Sequence, residues 1–442
     1  MTLPTFSAEA SASLGGPDWL RRRRAAGFEA FTSTPLPSES EEVWRYSPID
    51  ELSLDDFVPQ VEGSANGDPR GTTAGGELLE SVRAALGRTA ASVLVHAGRP
   101  VDGTWTGAGN GGASSLSFGP AEVVDASADL LGSVQHGGDA LVRLNDAFMP
   151  DAVFVDVPAG LTVDRPVLVV HWCEPGAPAF PRTCVRAGEG AVVSVVEVFA
   201  GPDGPARSLV VPVTELLAAD HASVSYVSLQ ILPNTAWSLS RLSACGGGSS
   251  SVRTFTVGLG AAYDRVRTDV TVDGRDARSE ILSTYLGDGT QVHDIRTLQD
   301  HAAPRTNSEL LCQGAVASRS RSVYSGLIRV HRGAVRSDAR QTNNNLVLNE
   351  GAHADSVPNL DILENDVKCS HASTVGPVDE DQMYYIESRG VAPEVAEGLI
   401  VRGFFDAIID RGSVPEATPL LQREVHARLD AALGGRQVLA DV

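Results

Sequence analysis

Short apolar and polar runs alternate through the middle of the chain, whereas helical periodicity is confined to its two ends. Between residues 145 and 376, brief runs rich in β-branched residues are separated by glycine, aspartate and proline. Such runs without a 3.6-residue period are typical of strands. Examples are residues 152–157, 166–172, 191–199 and 223–231. The middle of the chain is therefore predicted to be mainly β.

Gly-Ala pairs punctuate this β-rich region and suggest how it is organised. Among these pairs are Gly190-Ala191, Gly260-Ala261, Gly314-Ala315, Gly333-Ala334 and Gly351-Ala352. The last three are 19 and 18 residues apart. This spacing, with small residues at corners, favours a coiled parallel β-solenoid. An antiparallel sandwich stays open as the alternative, although the Asp-Gly pairs of the chain do not recur at the roughly 8–12-residue spacing of a hairpin series.

Asparagines cluster towards the end of the β-rich region. In a solenoid, equivalent positions of successive coils form columns, and asparagine side chains in one column can hydrogen-bond to each other as a ladder. The candidates for such ladders are Asn343, Asn344, Asn345, Asn349, Asn359 and Asn365.

The N-terminal part is predicted to be helical with breaks. An apolar stripe from Pro17 to Phe31 indicates one helix. Ser38 followed by Glu41 is a capping-box pattern, which predicts a short helix through Trp44. A further helix is expected over Glu77–Leu86.

The C-terminal part turns helical again. Asp379 is expected to cap a helix through Arg389, with Gly390 as its stop. Pro393 opens a second helix and Thr418 a third, which ends near Gly434. The apolar stripe of the second helix comprises Val395, Leu399, Phe405 and Ile408.

These patterns divide the chain into three predicted regions. Residues 1–145 form an N-terminal helical and mixed region, 146–376 the β core, and 377–442 a C-terminal helical domain. Two Gly- and Ser-rich stretches, 62–76 and 102–114, are expected to be loops or linkers.

Charge and composition exclude several classes of function. The chain carries 35 basic and 56 acidic side chains, a net charge of −21 that disfavours binding to nucleic acid. It has no signal-peptide pattern and no apolar run of about 18 residues, so we expect a cytoplasmic protein without a membrane span. Its five scattered cysteines are expected to be reduced thiols.

The strongest local chemical signal is the run Val367-Lys368-Cys369-Ser370-His371. On a strand, Cys369 and His371 would share one face, because alternate side chains point the same way. Thiolate and imidazole are both ligands of iron and of iron–sulfur clusters. Lys368, the only lysine of the chain, is expected to favour the thiolate form of its neighbour. Two ligands are too few for a cluster, so the others would have to come from elsewhere in the chain or from another protein.

Several segments together resemble the SufB/SufD family of iron–sulfur cluster assembly scaffolds, and within it the SufD branch. The run from Val367 to Gly376 resembles the signature that closes the β-helix of that branch, and Asp379–Gly390 its next helix, which ends in Ser-Arg-Gly. Upstream, Glu41–Tyr46 is similar to an acidic-Trp-Arg-Tyr element. Leu144–Phe148 and Val157–Gly160 are similar to the start of the core domain.

The resemblance implies a right-handed parallel β-helix core with N- and C-terminal helical segments, and two partners. One is a SufB-like paralogue, at whose interface Cys369, His371 and the adjacent Lys368 would lie. The other is a SufC-like ABC-type ATPase, which would dock on the helices of Asp379–Asp410. The residues assigned to this docking surface are Tyr384, Tyr385, Arg389, Val395, Leu399, Phe404 and Phe405.

The expected function is therefore that of a non-enzymatic scaffold in a SufB–SufC–SufD complex. A cluster would be held transiently in the complex, with Cys369 and His371 as shared metal ligands, and no cofactor would be bound stably by this chain alone. The resemblance leaves open a flavin in the complex and a homodimer of the isolated chain. The alternatives are a SufB-type paralogue that carries the nascent cluster itself, a β-helix carbohydrate-active enzyme, and a thiol or metal enzyme built around Cys369 and His371.

Overall fold

The computed structural model describes residues 5–59, 69–104, 115–134 and 138–433. Two long sheets face each other, and successive strands of the chain alternate between them. All pairings are parallel in the described chain except β1 with β2 and β3 with β4. The core is therefore a parallel β-solenoid, as predicted, and not an antiparallel sandwich.

The first sheet has ten strands in the order β2-β1-β5-β8-β11-β13-β15-β17-β19-β21. They are β1 (Ala91–His96), β2 (Arg99–Gly103), β5 (Val167–Trp172), β8 (Val192–Ala200), β11 (Ser223–Gln230), β13 (Ser251–Gly258), β15 (Arg278–Gly287), β17 (Asn307–Val316), β19 (Asp338–Val347) and β21 (Lys368–Gly376).

The second sheet has eleven strands, and its main path ends at β20. They are β3 (Ser117–Gly119), β4 (Val153–Val157), β6 (Pro178–Ala179), β7 (Arg182–Ala187), β9 (Ser208–Val210), β10 (Val213–Ala218), β12 (Ala236–Gly246), β14 (Tyr263–Val272), β16 (Val292–His301), β18 (Arg321–Val330) and β20 (His353–Ile362).

Helices precede and follow the main run of solenoid strands along the chain. They are α1 (Ala8–Ala12), α2 (Asp18–Ser33), α3 (Pro69–Leu86), α4 (Ser127–Leu130), α5 (Ala140–Phe148), α6 (Glu380–Glu387), α7 (Pro393–Ile409) and α8 (Thr418–Ala432). Short 3₁₀ turns occur at Glu42–Trp44, Ile49–Glu51, Leu54–Asp56 and Pro415–Ala417. No helix in the described part of the chain is long and apolar enough to cross a membrane.

The length of one coil differs from the sequence prediction. Arg278 pairs with Asn307, and Asn307 pairs with Asp338, so equivalent positions are 29 and 31 residues apart (307 − 278 and 338 − 307). The predicted spacing of 18–19 residues is wrong because Gly314-Ala315 is not a corner. Both residues lie inside β17, where Gly314 makes room for the ring of Tyr285.

The solenoid interior is largely aliphatic, because each strand turns alternate apolar side chains inwards. Buried polar clusters interrupt it, one of them around Glu197. Glu197 accepts hydrogen bonds from His171 (2.5 Å), Thr183 (2.6 Å) and the hydroxyl of Tyr226. These donors compensate the cost of burying the carboxylate.

The predicted asparagine ladders do not form among the described residues. Asn343 pairs with Cys312 on one side and Ser373 on the other, and Asn345 pairs with Gly314 and Val375. No two of the candidate asparagines therefore occupy equivalent positions of adjacent coils. Instead, the coil before the last places the amides of Asn343 and Asn345 in the buried interior.

The N-terminal predictions hold in part. The helix expected over Pro17–Phe31 is present as α2, and the backbone N–H of Ser38 donates to Glu41 (3.2 Å) before the short turn through Trp44. The helix expected over Glu77–Leu86 begins earlier, at Pro69, within the stretch 62–76 that was expected to be a loop. The remainder of that stretch, 62–68, and residues 105–114 of the second stretch lie outside the described residues.

The N-terminal segment around Trp44 is fastened to the outside of the second sheet. The guanidinium of Arg265 lies 3.6 Å from the ring centre of Trp44 and donates to the carbonyl of Val43 (2.7 Å). Arg296 donates to the carbonyl of Arg45 (2.7 Å). Both arginines are held by the buried carboxylate of Asp294.

The three C-terminal helices begin where the sequence predicted. The carboxylate of Asp379 caps α6 by accepting from the N–H of Gln382 (2.9 Å). Helix α6 ends at Glu387, two residues before the predicted end, and Gly390 follows with a φ of 88°. Helices α7 and α8 pack on the first sheet through an apolar cluster. Gly434, the predicted stop of α8, lies outside the described residues.

Candidate functional site

The C-terminal end of the solenoid is open. In the described chain, β20 and β21 are the last strands of their sheets, so each has a sheet neighbour on one side only. Unpaired strand edges are templates for pairing with another chain. Large apolar side chains are exposed around this end: Val357, Leu360, Ile362, Leu363 and Val375, with exposed fractions of 39–50%. Such an apolar rim on an open edge is typical of an interaction surface.

Cys369 lies on β21 at this open end, half-buried against a small apolar cluster. It stands opposite Ala339 of β19. Burial raises the pKa of the Cys369 thiol, and the carboxylate of Asp338 raises it further. Desolvation and a nearby negative charge therefore both disfavour the thiolate of Cys369, and the predicted effect of the exposed Lys368 stays a prediction.

His371 lies two residues further along the same strand and is exposed. The predicted strand is present, so Cys369 and His371 share its inward-facing side, while Lys368 and Ser370 alternate to the other side. Among residues 5–59, 69–104, 115–134 and 138–433, no three His, Cys, Asp or Glu side chains come together as a metal-holding group.

A buried polar layer lies one coil beneath these two residues. Asn343 donates to the hydroxyl of Ser356 (2.8 Å), which also contacts the hydroxyl of Ser373 on the terminal strand (2.7 Å). Gln341 lies opposite His371 in the register of β19 and β21. Sequence reasoning missed this layer, since only the true coil length of about 30 residues places Gln341 next to His371.

The residues predicted to dock an ATPase are divided by their exposure. Tyr384 and Tyr385 are exposed by 74% and 59%, and the guanidinium of Arg389 lies 3.5 Å from the ring centre of Tyr385. Leu399 is exposed by 40%. These side chains leave a partly aromatic surface on α6 and α7.

The remaining predicted docking residues are less accessible. Val395 and Phe404 are half-buried. Phe405 is fully buried in the apolar cluster that fixes α7 to the first sheet. Its side chain therefore supports the helix and does not reach its outer surface. Arg411, just after α7, anchors the helix end by donating to Glu280 (2.9 Å) and Glu309 (3.0 Å).

The chain is similar to known proteins over most of its length. Residues 172–404 match the family described as "SUF system FeS cluster assembly, SufBD core domain". The iron–sulfur cluster assembly protein SufD of Escherichia coli is 26% identical over 91% of this chain and 90% of its own length. A SufBD family protein of Mycobacterium tuberculosis is 33% identical over 62% of this chain and 68% of its own length. SufD of Bacillus subtilis is 27% identical over 64% and 67%.

Proposed function

The chain belongs to the SufBD family of SUF-system iron–sulfur cluster assembly proteins, and from this premise we propose that it is a non-catalytic scaffold that completes a cluster-assembly site together with a second protein. The supporting observation is the position of Cys369 and His371 on the terminal strand of an open solenoid. Two soft or borderline iron ligands face the end at which another chain can pair.

The ligand count supports a shared site. A cluster takes about four ligands, and this strand supplies two. Because the described residues bring no third His, Cys, Asp or Glu to them, the missing ligands are assigned to the partner. The partner that fits is a paralogue with its own open strand edge and more cysteines. The nascent cluster is the substrate of this site, and the isolated chain is expected to retain little iron.

His371 is proposed as the more important ligand of the pair. It is exposed, whereas Cys369 is half-buried with a raised pKa. A thiol must lose its proton to bind metal, and a raised pKa makes that loss more costly at neutral pH. A neutral imidazole carries no such cost and can complement cysteines already present on the partner.

The second proposed contact is with an ABC-type ATPase. The exposed aromatic pair Tyr384 and Tyr385 lies on α6, which has no buried residue. Leu399 lies on α7, which buried residues such as Phe405 pack against the first sheet. Exposed aromatic side chains are typical anchors of protein interfaces. Motion driven by ATP in the partner would be transmitted through these helices to the solenoid.

Co-purification of the two partners tests both contacts separately. We expect Leu360→Glu with Ile362→Glu to abolish capture of the paralogue, because charges on the apolar rim oppose its burial. The matched control is Val101→Glu, an exposed valine (44%) on β2 at the other end of the first sheet. Equal capture by the rim variant and the control would refute the pairing edge.

For the ATPase, the variant is Tyr384→Ala with Tyr385→Ala. The matched control is Tyr46→Ala, a tyrosine exposed by 45% on the N-terminal segment. We expect the variant with both tyrosines replaced to lose the ATPase while it still binds the paralogue, and Tyr46→Ala to keep both partners. Retention of the ATPase by the double variant would refute docking on α6.

A further inference from the structure

Gln341 is a buried side chain with unused hydrogen-bonding capacity. It is 1% exposed, and neither its amide nitrogen nor its amide oxygen has a hydrogen-bond partner among the described residues. Buried polar groups are nearly always hydrogen-bonded, so an unpartnered one calls for an explanation. The contacts of Gln341 within its own coil do not provide that explanation.

The backbone register places this amide next to the candidate site. Gln341 of β19 is directly opposite His371 of β21, and both belong to the inward-facing set of their strands. Adjacent strands lie about 4.8 Å apart, so a change of side-chain torsion brings the amide of Gln341 within reach of the imidazole.

The interior around Gln341 is built to leave it room. A Cβ on Gly326, across the interior, would overlap both the amide nitrogen of Gln341 and the hydroxyl of Tyr324. The neighbouring inward-facing position is already used for support: Asn343 is linked through Ser356 to Ser373 on the terminal strand. The same layer therefore holds one terminal side chain in place by hydrogen bonds and carries a free amide under the next.

A metal-binding imidazole has a specific requirement that Gln341 meets. When one ring nitrogen binds a metal, the other carries a proton and donates it to an oxygen acceptor, which fixes the ring orientation and makes the ligand more basic. No hydrogen bond of His371 to a described residue supplies this acceptor in the free chain, while the amide oxygen of Gln341 lies one strand away without a donor.

We propose that Gln341 is the positioning residue of His371: its amide oxygen accepts the imidazole N–H when the other ring nitrogen binds iron of the nascent cluster. The inference rests on the proposed function. It assigns Gln341 to the buried support of the site and explains why a free amide persists in the interior.

The test uses the complex reconstituted with its paralogue partner, with ferrous iron and sulfide as probes. We expect Gln341→Leu to raise the iron concentration for half-loading by about tenfold or more, the usual effect of removing the acceptor of a metal-bound histidine. Gln341→Glu, which keeps an oxygen at the same reach, should restore loading. Thr342→Val, on the outward face of the same strand, is the matched control and should load like the wild type.

A spectroscopic signature separates positioning from a merely structural role. In pulsed electron paramagnetic resonance of the reduced cluster, the quadrupole coupling of the remote imidazole nitrogen reports its hydrogen bond. This coupling should change in Gln341→Leu and stay unchanged in Thr342→Val. The isolated Gln341→Leu chain should unfold at the same or a higher temperature, because the substitution removes unsatisfied buried polar atoms.

The outcomes distinguish this inference from the proposed function. If His371→Ala loads normally, the shared site itself is wrong. If His371→Ala fails to load but Gln341→Leu matches Thr342→Val in loading and in nitrogen coupling, the shared site stands and the role of Gln341 is refuted. If Gln341→Leu does not fold, Gln341→Glu still decides: wild-type loading supports an oxygen acceptor, and loss of loading contradicts it.

Discussion

The ring of Tyr285 occupies the space that a side chain at position 314 would need: a Cβ on Gly314 would overlap the ring atoms. The two residues lie opposite each other on β15 and β17. Through this opening the hydroxyl of Tyr285 reaches the amide of Asn345, in the coil just beneath the terminal strand. The glycine at position 314 thus allows Tyr285 to link the solenoid core to the layer that supports the candidate site.

Gly314→Ala should therefore destabilise the chain. Overpacking of a tight core costs about 1–3 kcal/mol, since Tyr285 must leave its position and its bond to Asn345. Urea unfolding followed by circular dichroism measures this free energy. Gly376→Ala on the terminal strand is the control, because a Cβ there meets nothing within 4 Å. Equal stability of the two variants would show that the space over Gly314 is not filled by Tyr285.

The buried carboxylate of Glu197 should make stability depend on pH. Burial raises its pKa, but hydrogen bonds from His171, Thr183 and Tyr226 more than offset burial, so the pKa lies below its usual range. A depressed folded-state pKa means that the ionised group stabilises the fold above the unfolded-state value of about 4.3. That contribution is lost as the pH falls through the lower folded-state value.

Glu197→Gln should accordingly cost about 2 kcal/mol at pH 7, and the difference from the wild type should shrink below about pH 4.3. Urea unfolding at a series of pH values measures both the loss of stability at pH 7 and its decrease at low pH. Glu189→Gln, at an exposed turn, is the control and should show neither effect. A difference that stays constant down to pH 3 would contradict the assignment of an ionised Glu197.

The thiol of Cys369 should react slowly with alkylating reagents at neutral pH, because burial and Asp338 both raise its pKa. Asp338→Asn should speed the reaction by removing the negative charge. Mass spectrometry of the alkylated peptide over time measures the rate. The control is Asp361→Asn, another carboxylate of the terminal region. Faster alkylation in the control than in Asp338→Asn would refute the electrostatic part of this account.

The type of fold can be predicted from the sequence more reliably than the length of one coil. Short β-branched runs and small corner residues depend on local chain geometry, and they correctly predict a parallel solenoid. The coil length depends on which strands pair, and pairing is a long-range property. Gly314 illustrates the difference: as a residue in a sequence it suggests a turn, whereas in the structure it lies inside a strand because Tyr285 needs the space.

The candidate site could be predicted only in its outer layer. Cys369 and His371 are two residues apart, so the strand pattern alone places them on one face. Gln341 and Ser356 come from other strands, and only the register of the folded solenoid brings them beneath that face. The raised pKa of Cys369 likewise follows from burial and from Asp338, which no adjacent sequence position reveals.

Iron and acid-labile sulfide bound per complex, after anaerobic reconstitution of this chain with its paralogue, test the shared site most directly. We expect the wild-type complex to bind a cluster, the isolated chain to bind little iron, and the complex with His371→Ala to lose the cluster while the variant chain still folds and pairs. Cys369→Ala should retain more of the cluster than His371→Ala. A stoichiometric cluster on the isolated chain, or normal loading of the His371→Ala complex, would contradict a site shared between two proteins.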